Sequence, residues 1–262
     1  MLVVSWNMAM ASPRIGIARR EEAWSYLRGL NSDIALVQEA WNPKEIFPDH
    51  AIVWEPAYEG KPWGSAIITR YNLESTVDVA MMDPALTDLV KRFRGQVVAA
   101  KLRLDNNGSL VTISVHTPAR TVPRKDVPLD VFPVIKLKQN RWIWRADVIY
   151  GALRHLPEKG DRFIMGGDWN TSRLFDKMYG PRGNEEFFQR MSDAHFRDCR
   201  ERFFPDEQRT WFRSEDAHYQ LDHVFCDSLS AANIKEEGGY RIDPTPAENG
   251  LSDHAAVIVE FN

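Results

Sequence analysis

Cysteine is scarce in this sequence, with two among 262 residues, Cys199 and Cys226. Two cysteines cannot build the disulfide framework of a small secreted domain, although one bridge between them stays open, and a reducing compartment is the expectation. The sequence also lacks a Cys/His spacing of the kind that holds zinc. No apolar run reaches the roughly 18 residues of a membrane-spanning helix. At the N-terminus, Leu2-Val3-Val4 gives way to Ser5 and Asn7 too early for a secretory apolar segment, so a soluble, cytoplasmic protein is expected. Strong charge of one sign is missing as well. Lys and Arg number 33 against 37 Asp and Glu, a net charge of -4. Nucleic acid could not be held by a bulk positive field alone. There is no internal repeat, no low-complexity tract and no interdomain linker.

What is present is a composition rich enough in apolar residues, 44%, to bury a sizeable core. Residues 1–262 are read as one domain. Charge is uneven along it: from Val111 to Gly160 nine Lys and Arg stand against four acids, a candidate phosphate-facing surface. Short β-branched segments bounded by turn formers predict strands at Leu2–Trp6, Ile34–Gln38, Ser65–Thr69, Gln96–Leu104, Leu110–Val115, Phe163–Met165, Leu221–Cys226 and Ala255–Phe261. Asp105-Asn106-Asn107-Gly108 reads as a hairpin turn pairing two of them antiparallel, which favours a mixed or antiparallel sheet. Helical spacing of apolar residues predicts helices over Arg19–Leu30 and Leu137–His155.

Polar residues gather at the strand ends, where loops form sites. Asn7 ends the first strand, Glu39 the second and His116 the hairpin strand. Asp168 and Asn170 follow Phe163–Met165, Asp222 opens the next strand, and Asp253 and His254 open the last. Carboxylates, an amide and two histidines meet the needs of phosphate-ester hydrolysis: neutralise the phosphoryl oxygens, take a proton from water, and protonate the leaving oxygen. Oxygen donors such as Glu39, Asp253 and the Asn7 amide favour Mg²⁺, Mn²⁺ or Ca²⁺ over zinc. His223, beside Asp222, is expected on the opposite face of its strand, and Trp169 in the core.

In order along the chain, Ser5-Trp6-Asn7, Val37-Gln38-Glu39, Ser65-Ala66-Ile67-Ile68, Val115-His116-Thr117, Gly167-Asp168-Trp169-Asn170, Leu221-Asp222-His223-Val224-Phe225 and Ser252-Asp253-His254 resemble the motifs of the endonuclease/exonuclease/phosphatase superfamily. That superfamily includes deoxyribonucleases, abasic-site endonucleases, neutral sphingomyelinases and inositol polyphosphate phosphatases. The resemblance implies an α/β four-layer αββα sandwich, two mixed sheets packed face to face with helices outside. It implies Glu39, with Asn7 and Asp253, as metal ligands, and Asp168 and Asn170 as groups orienting water and phosphate. His254 would be the general base, or a ligand of a phosphate oxygen, with Asp222 orienting its ring. His116 would protonate the leaving group or hydrogen-bond the phosphate. Ala9 offers no additional carboxylate, so one metal is expected, and no acidic partner for His116 is evident.

The leading substrate is DNA or RNA, because Arg120, Arg124 and Lys125 follow His116 and could track a phosphodiester backbone. Trp41, Trp63 and Trp211 could stack on bases. The alternative is a lipid or small-molecule phosphoesterase, since Gln38-Glu39-Ala40-Trp41 resembles the sphingomyelinase branch. A catalytically inactive binding module of the same fold should have lost one of Glu39, Asp168, Asn170, Asp253 or His254, and all five are present. The oligomeric state is left open, a monomer being compatible with every reading.

Overall fold

Runs such as Val3-Val4 and Ile34-Ala35-Leu36-Val37 place apolar side chains on both sides of a strand, so both faces of the sheet must be covered. The computed structural model describes residues 1–12, 16–105, 108–215 and 218–262. Along β1 (Leu2–Asn7) and β2 (Ile34–Trp41), Val3, Ile34 and Leu36 join Ala100, Ile164 and Val224 in a layer between two sheets. Val4, Ala35 and Val37 instead pack with Ala23, Trp24 and Leu27 of the helix Ile17–Gly29.

The chain continues through β3 (Ala51–Pro56), β4 (Trp63–Thr69), β5 (Asn72–Val77), β6 (Val97–Arg103), β7 (Ser109–His116), β8 (Phe163–Asp168), β9 (Arg197–Asp198), β10 (Asp222–Cys226), β11 (Tyr240–Asp243) and β12 (Ala256–Glu260). Among the described residues these form two six-stranded sheets, ordered β11-β12-β1-β2-β4-β3 and β5-β6-β7-β8-β10-β9. Each is mixed, with one parallel pair, β1 with β2 and β7 with β8. A parallel pair needs a long crossover. The helix Ile17–Gly29 lies in the first crossover and the helix Arg145–Leu153 in the second. The latter contributes Val148, Ile149 and Ala152 to a core with Ile113, Val115, Met165 and Phe225 on the outer face of the second sheet. The result is the expected α/β sandwich of helix, sheet, sheet and helix.

This topology decides where the site forms. Parallel strands finish at the same edge, so β1 and β2 end together, as do β7 and β8, with His116 opposite Asp168. Strand β10 runs antiparallel to β8 and β12 antiparallel to β1, so Asp222 and the residues before Ala256 lie at those same edges. A polar tie crosses between the sheets just below: Gln38 Nε2 donates to Ser114 Oγ at 2.9 Å, and Ser114 Oγ donates to the Val37 carbonyl at 3.0 Å.

Several boundaries depart from the sequence expectation. The second helix begins at Arg145, not Leu137. Asn140 Oδ1 takes the Trp142 N–H at 2.9 Å and Asp147 takes the Trp144 N–H at 2.7 Å, so side chains capture the amides that an earlier start would need. Strands β3, β5, β9 and β11 were not anticipated. Strand β5 has five exposed residues of six and β9 only two residues, so neither shows the apolar alternation that reveals a strand. Strands β6 and β7 pair antiparallel as expected, while Asn106 and Asn107 of the hairpin lie outside the described residues. Cys199 and Cys226 are free thiols with sulfurs 3.5 Å apart, so the single bridge left open is not formed.

Close approach of the facing sheet at Gly166, and of the neighbouring strand at Gly167, makes two glycines specific. A Cβ on Gly166 would stand 2.9 Å from the Ser5 side chain of the facing sheet, whereas one on Gly167 would overlap the Val115 backbone carbonyl. Side chains can give way more readily than a ladder carbonyl. Gly166→Ala is therefore expected to cost about 1–3 kcal/mol in denaturant unfolding and Gly167→Ala more. Equal losses would contradict the steric account.

Candidate active site

The polar strand ends converge at the floor of a cleft of about 1120 Å³ lined by Glu39, His116, Asp168, Asn170, Asp253 and His254. His254 is held from three sides. Its Nδ1 lies 2.8 Å from Asp222 Oδ2, its N–H donates to Ser252 Oγ at 3.0 Å, and its carbonyl accepts the Trp6 indole N–H at 3.1 Å. Asp222 is fully buried behind it. Burial alone would lower the His254 pKa, but the negative charges of Asp222, Asp168 and Asp253 prevail and raise it to about 10.

Asp168 is equally enclosed. Its Oδ2 accepts the side-chain amides of Asn7 at 3.0 Å and Asn170 at 2.9 Å, and its Oδ1 accepts the Asn170 backbone N–H at 2.9 Å. Burial raises its pKa to about 6, with the Asp222 charge adding to the shift and the two histidines opposing it. His116 is pushed the other way: burial lowers its pKa despite Asp168 at 3.9 Å. Its Nε2 lies 3.3 Å from Glu39 Oε1, which supplies the acidic partner that sequence reading lacked. Glu39 is itself raised, chiefly by burial.

Backbone geometry aims these groups. The β2–β4 pairing shifts register between Val37 and Ala40, a bulge that carries Glu39 at φ 49°. Asn170 at φ 48° and Ala9 at φ 50° are likewise left-handed, and all three line the cleft. Left-handed non-glycine residues cost energy and gather where function requires a special direction.

Asp168, Asp222 and His254 present ligand atoms within 4.8 Å of one another and could be taken for a metal cage. Their hydrogen bonds argue for a proton-handling relay instead, because His254 Nδ1 is committed to Asp222 and both Asp168 oxygens are already bonded. Glu39 and Asp253 are the carboxylates open to the cleft, with side chains 22% and 36% exposed. Asn7 is buried behind them, its Oδ1 accepting the Ala9 N–H at 2.9 Å with one lone pair to spare. Among the described residues no Lys or Arg forms an ion pair with Glu39, Asp168, Asp222 or Asp253. Four carboxylates with no Lys or Arg partner, and His254 alone to offset them, fit a hard divalent metal.

The predicted substrate cations separate. Arg120 lines the cleft. Arg124 lies over the Phe132 ring at 3.7 Å and bonds the Val127 carbonyl, and Lys125 is exposed but is not among the cleft-lining residues. Arg19 of the helix Ile17–Gly29 and the loop residues Lys61 and Arg213 line it as well, three cations far apart in sequence and without a shared motif. Trp63 and Trp211 are in its wall, whereas Trp41 carries the Arg20 guanidinium over its ring outside it. His223 faces away, 3.1 Å from the Thr171 carbonyl and against Phe188, and Trp169 is buried in the outer core.

A family model, Endonuclease/Exonuclease/phosphatase, matches residues 4–254. The chain belongs to the endonuclease/exonuclease/phosphatase family. Members of this family are divalent-metal-dependent hydrolases of phosphate esters. Among solved structures, the chain is similar to a 3'-5' exonuclease (NExo) from Neisseria meningitidis, with 20% identity, all of both chains covered and TM-score 0.70. It is also similar to an AP endonuclease from Archaeoglobus fulgidus, at 14% identity over 100% of this chain and 99% of that one, TM-score 0.68. Truncated Caenorhabditis elegans TDP2 superposes at 14% identity over 99% and 96%, TM-score 0.67. At these identities the likeness shows the shared fold. No curated protein matches the sequence. Among the described residues no helix is long and apolar enough to cross a membrane.

Electrostatics of the family site give a titration pattern. In metal-free protein, NMR of the imidazoles should show His254 protonated at pH 8 while buried His116 and His223 are neutral at pH 6.5. Because the folded pKa of His254 lies above the ordinary value, its ion pair stabilises the protein fully below about pH 6.5, and that gain is lost as pH rises through about 10. Asp222→Asn should therefore destabilise at pH 6 and converge on the parent stability above pH 10.

Proposed function

We propose that this protein is a divalent-metal-dependent phosphodiesterase that hydrolyses DNA or RNA. The observation that carries this reading is a carboxylate and histidine floor, free of Lys and Arg ion pairs, beneath a cleft whose walls carry Arg19, Lys61, Arg120 and Arg213. A polyanionic strand is drawn to such a rim by phosphate contacts from its cations.

Glu39 and Asp253 would hold Mg²⁺ or Mn²⁺, with Ca²⁺ also suited to the oxygen donors and the free lone pair of Asn7 Oδ1 completing the protein's share. When bound, such an ion would supply charge neutralisation on the phosphoryl oxygens, and its positive charge would lower the His254 pKa from about 10. Asp222 fixes the His254 tautomer by taking Nδ1–H, which leaves Nε2 to accept a proton from the attacking water. Asn170 and Asp168 orient water and phosphate, and His116, held by Glu39, serves the leaving oxygen.

The raised pKa of Asp168, about 6, favours a second assignment of the same groups. Asp168 would then take the proton from water while His254 stays an imidazolium that holds a phosphate oxygen. The two assignments differ in sign with pH. With His254 as base, kcat/KM rises as His254 deprotonates. With His254 as the phosphate ligand, kcat/KM falls over that same range.

The parent and His254→Ala, Asp168→Ala and Glu39→Ala proteins should be assayed with Mg²⁺ or Mn²⁺ against plasmid, single-stranded DNA, RNA, sphingomyelin and inositol phosphates. Each variant is expected to lose about 10²–10⁴ in kcat, and a chelator should abolish activity. Hydrolysis of lipid alone would refute the nuclease reading.

A further inference from the structure

Beyond the cleft floor lies a second cavity of about 480 Å³ that Pro118, Ala119, Asn170 and Phe175 share with the cleft. It thus begins at Asn170, whose amide bonds Asp168 at 2.9 Å. Its size falls among those of small-ligand sites. Its outer walls carry Trp142 and Tyr179, which are 51% and 52% exposed. Each has a cation over its ring: the Arg141 guanidinium lies 4.9 Å from the Trp142 centroid and that of Arg182 5.5 Å from Tyr179. The Trp169 indole forms part of the wall, and its buried N–H has no hydrogen-bond acceptor.

Tyr179 is tied by its hydroxyl to that of Tyr219 at 2.9 Å and by its ring to Phe175, and it still remains, like Trp142, half exposed. Large aromatic faces left half in solvent forgo burial, and a buried donor without an acceptor is costly. The fold nevertheless holds them in place. Asn140 Oδ1 fixes the Trp142 N–H, Thr121 bridges to Trp144, and Asp176 Oδ1 fixes the Arg182 N–H at 2.7 Å. This anchoring is also what keeps Trp142 out of the helix that the sequence suggested.

We infer that this cavity is a base-binding subsite, which receives one unpaired nucleobase next to the scissile phosphate of a nucleic acid strand. The inference rests on the nuclease reading of the adjoining cleft and adds the requirement that one base be free of its partner strand. An aromatic face stacks on any base, and a guanidinium beside it meets the attached phosphate. A base inside an intact duplex cannot enter such a cavity without leaving its stack.

Oligonucleotides carrying 2-aminopurine at successive positions test this with a chelator present, so that binding is read without cleavage. Fluorescence should be quenched at one position, more strongly for single-stranded or frayed than for fully paired substrate. Trp142→Ala and Tyr179→Ala should remove the quench, and Trp142→Phe should restore it. With metal added, the ratio of kcat/KM on the oligonucleotide to that on the base-free diester bis(p-nitrophenyl) phosphate should drop about tenfold in Trp142→Ala. Absence of quenching, quenching unchanged in Trp142→Ala, or equal quenching by intact duplex overturns the subsite. Position-specific quenching by a protein that cleaves no nucleic acid would overturn the nuclease reading and leave the subsite standing. Cleavage without quenching would do the reverse.

Discussion

Three polar contacts at the cleft floor each join one sheet to the other. Asn7 of β1 donates to Asp168 of β8, Glu39 of β2 meets His116 of β7, and Asp222 of β10 holds His254, which precedes β12. No half of the site exists within a single sheet. The spacing that lets these pairs meet is set by the apolar layer below them, where Val3, Leu36 and Val257 pack with Ala100, Ile164 and Val224. A one-residue slip in any of these strands would turn its inward set outward and carry its terminal polar residue with it. The precision required for proton transfer is thus inherited from the packing of aliphatic side chains.

The polar groups at the cleft floor also stabilise the backbone that presents them. Asn7 Oδ1 accepts the N–H of left-handed Ala9, and Asp168 Oδ1 accepts that of left-handed Asn170. Glu39 is fixed differently, by the Met10 N–H on its carbonyl at 3.0 Å. Each such residue costs on the order of 1–3 kcal/mol, which these local hydrogen bonds partly offset. Asp168 is consequently a structural acceptor as well as one of the carboxylates at the cleft floor. Removing it frees the Asn170 turn, whereas removing Glu39 frees the His116 ring, so each activity loss contains a positional part of its own.

The ordered polar residues at strand ends were legible because each sits at the close of a short β-branched run, and their common edge follows from strand direction. The Glu39–His116 pairing was not, since it joins residues on different sheets and depends on a bulge that no composition announces. The basic stretch from Val111 to Gly160 misled for a related reason. Arg145 bonds Gln96 and Tyr58, Arg154 pairs with Asp83, and Arg124 covers Phe132, so density along the chain did not become density on a surface. Of the Lys and Arg in that stretch only Arg120 lines the cleft, where it is joined by Arg19 from the helix Ile17–Gly29 and by Lys61 and Arg213 from two separate loops. Trp142 fitted the helical period but was withdrawn from the helix by a single Asn140 hydrogen bond, a competition that periodicity cannot express.

Charge in the cleft is layered, with carboxylates at the floor and cations at the rim, and the layering constrains how a phosphate could be processed. The rim attracts a polyanion, while Glu39, Asp168, Asp222 and Asp253 repel its phosphate from the place where His116 and His254 could act on it. Protonated His254 offsets only part of this charge, because its proton is held by the same carboxylates that create the repulsion. A divalent cation between Glu39 and Asp253 would resolve both difficulties at once, admitting the phosphate and loosening the hold on that proton. On this argument the family's dependence on metal and the elevated basicity of His254 have one cause, an excess of buried carboxylate that the protein leaves unpaired by its own Lys and Arg.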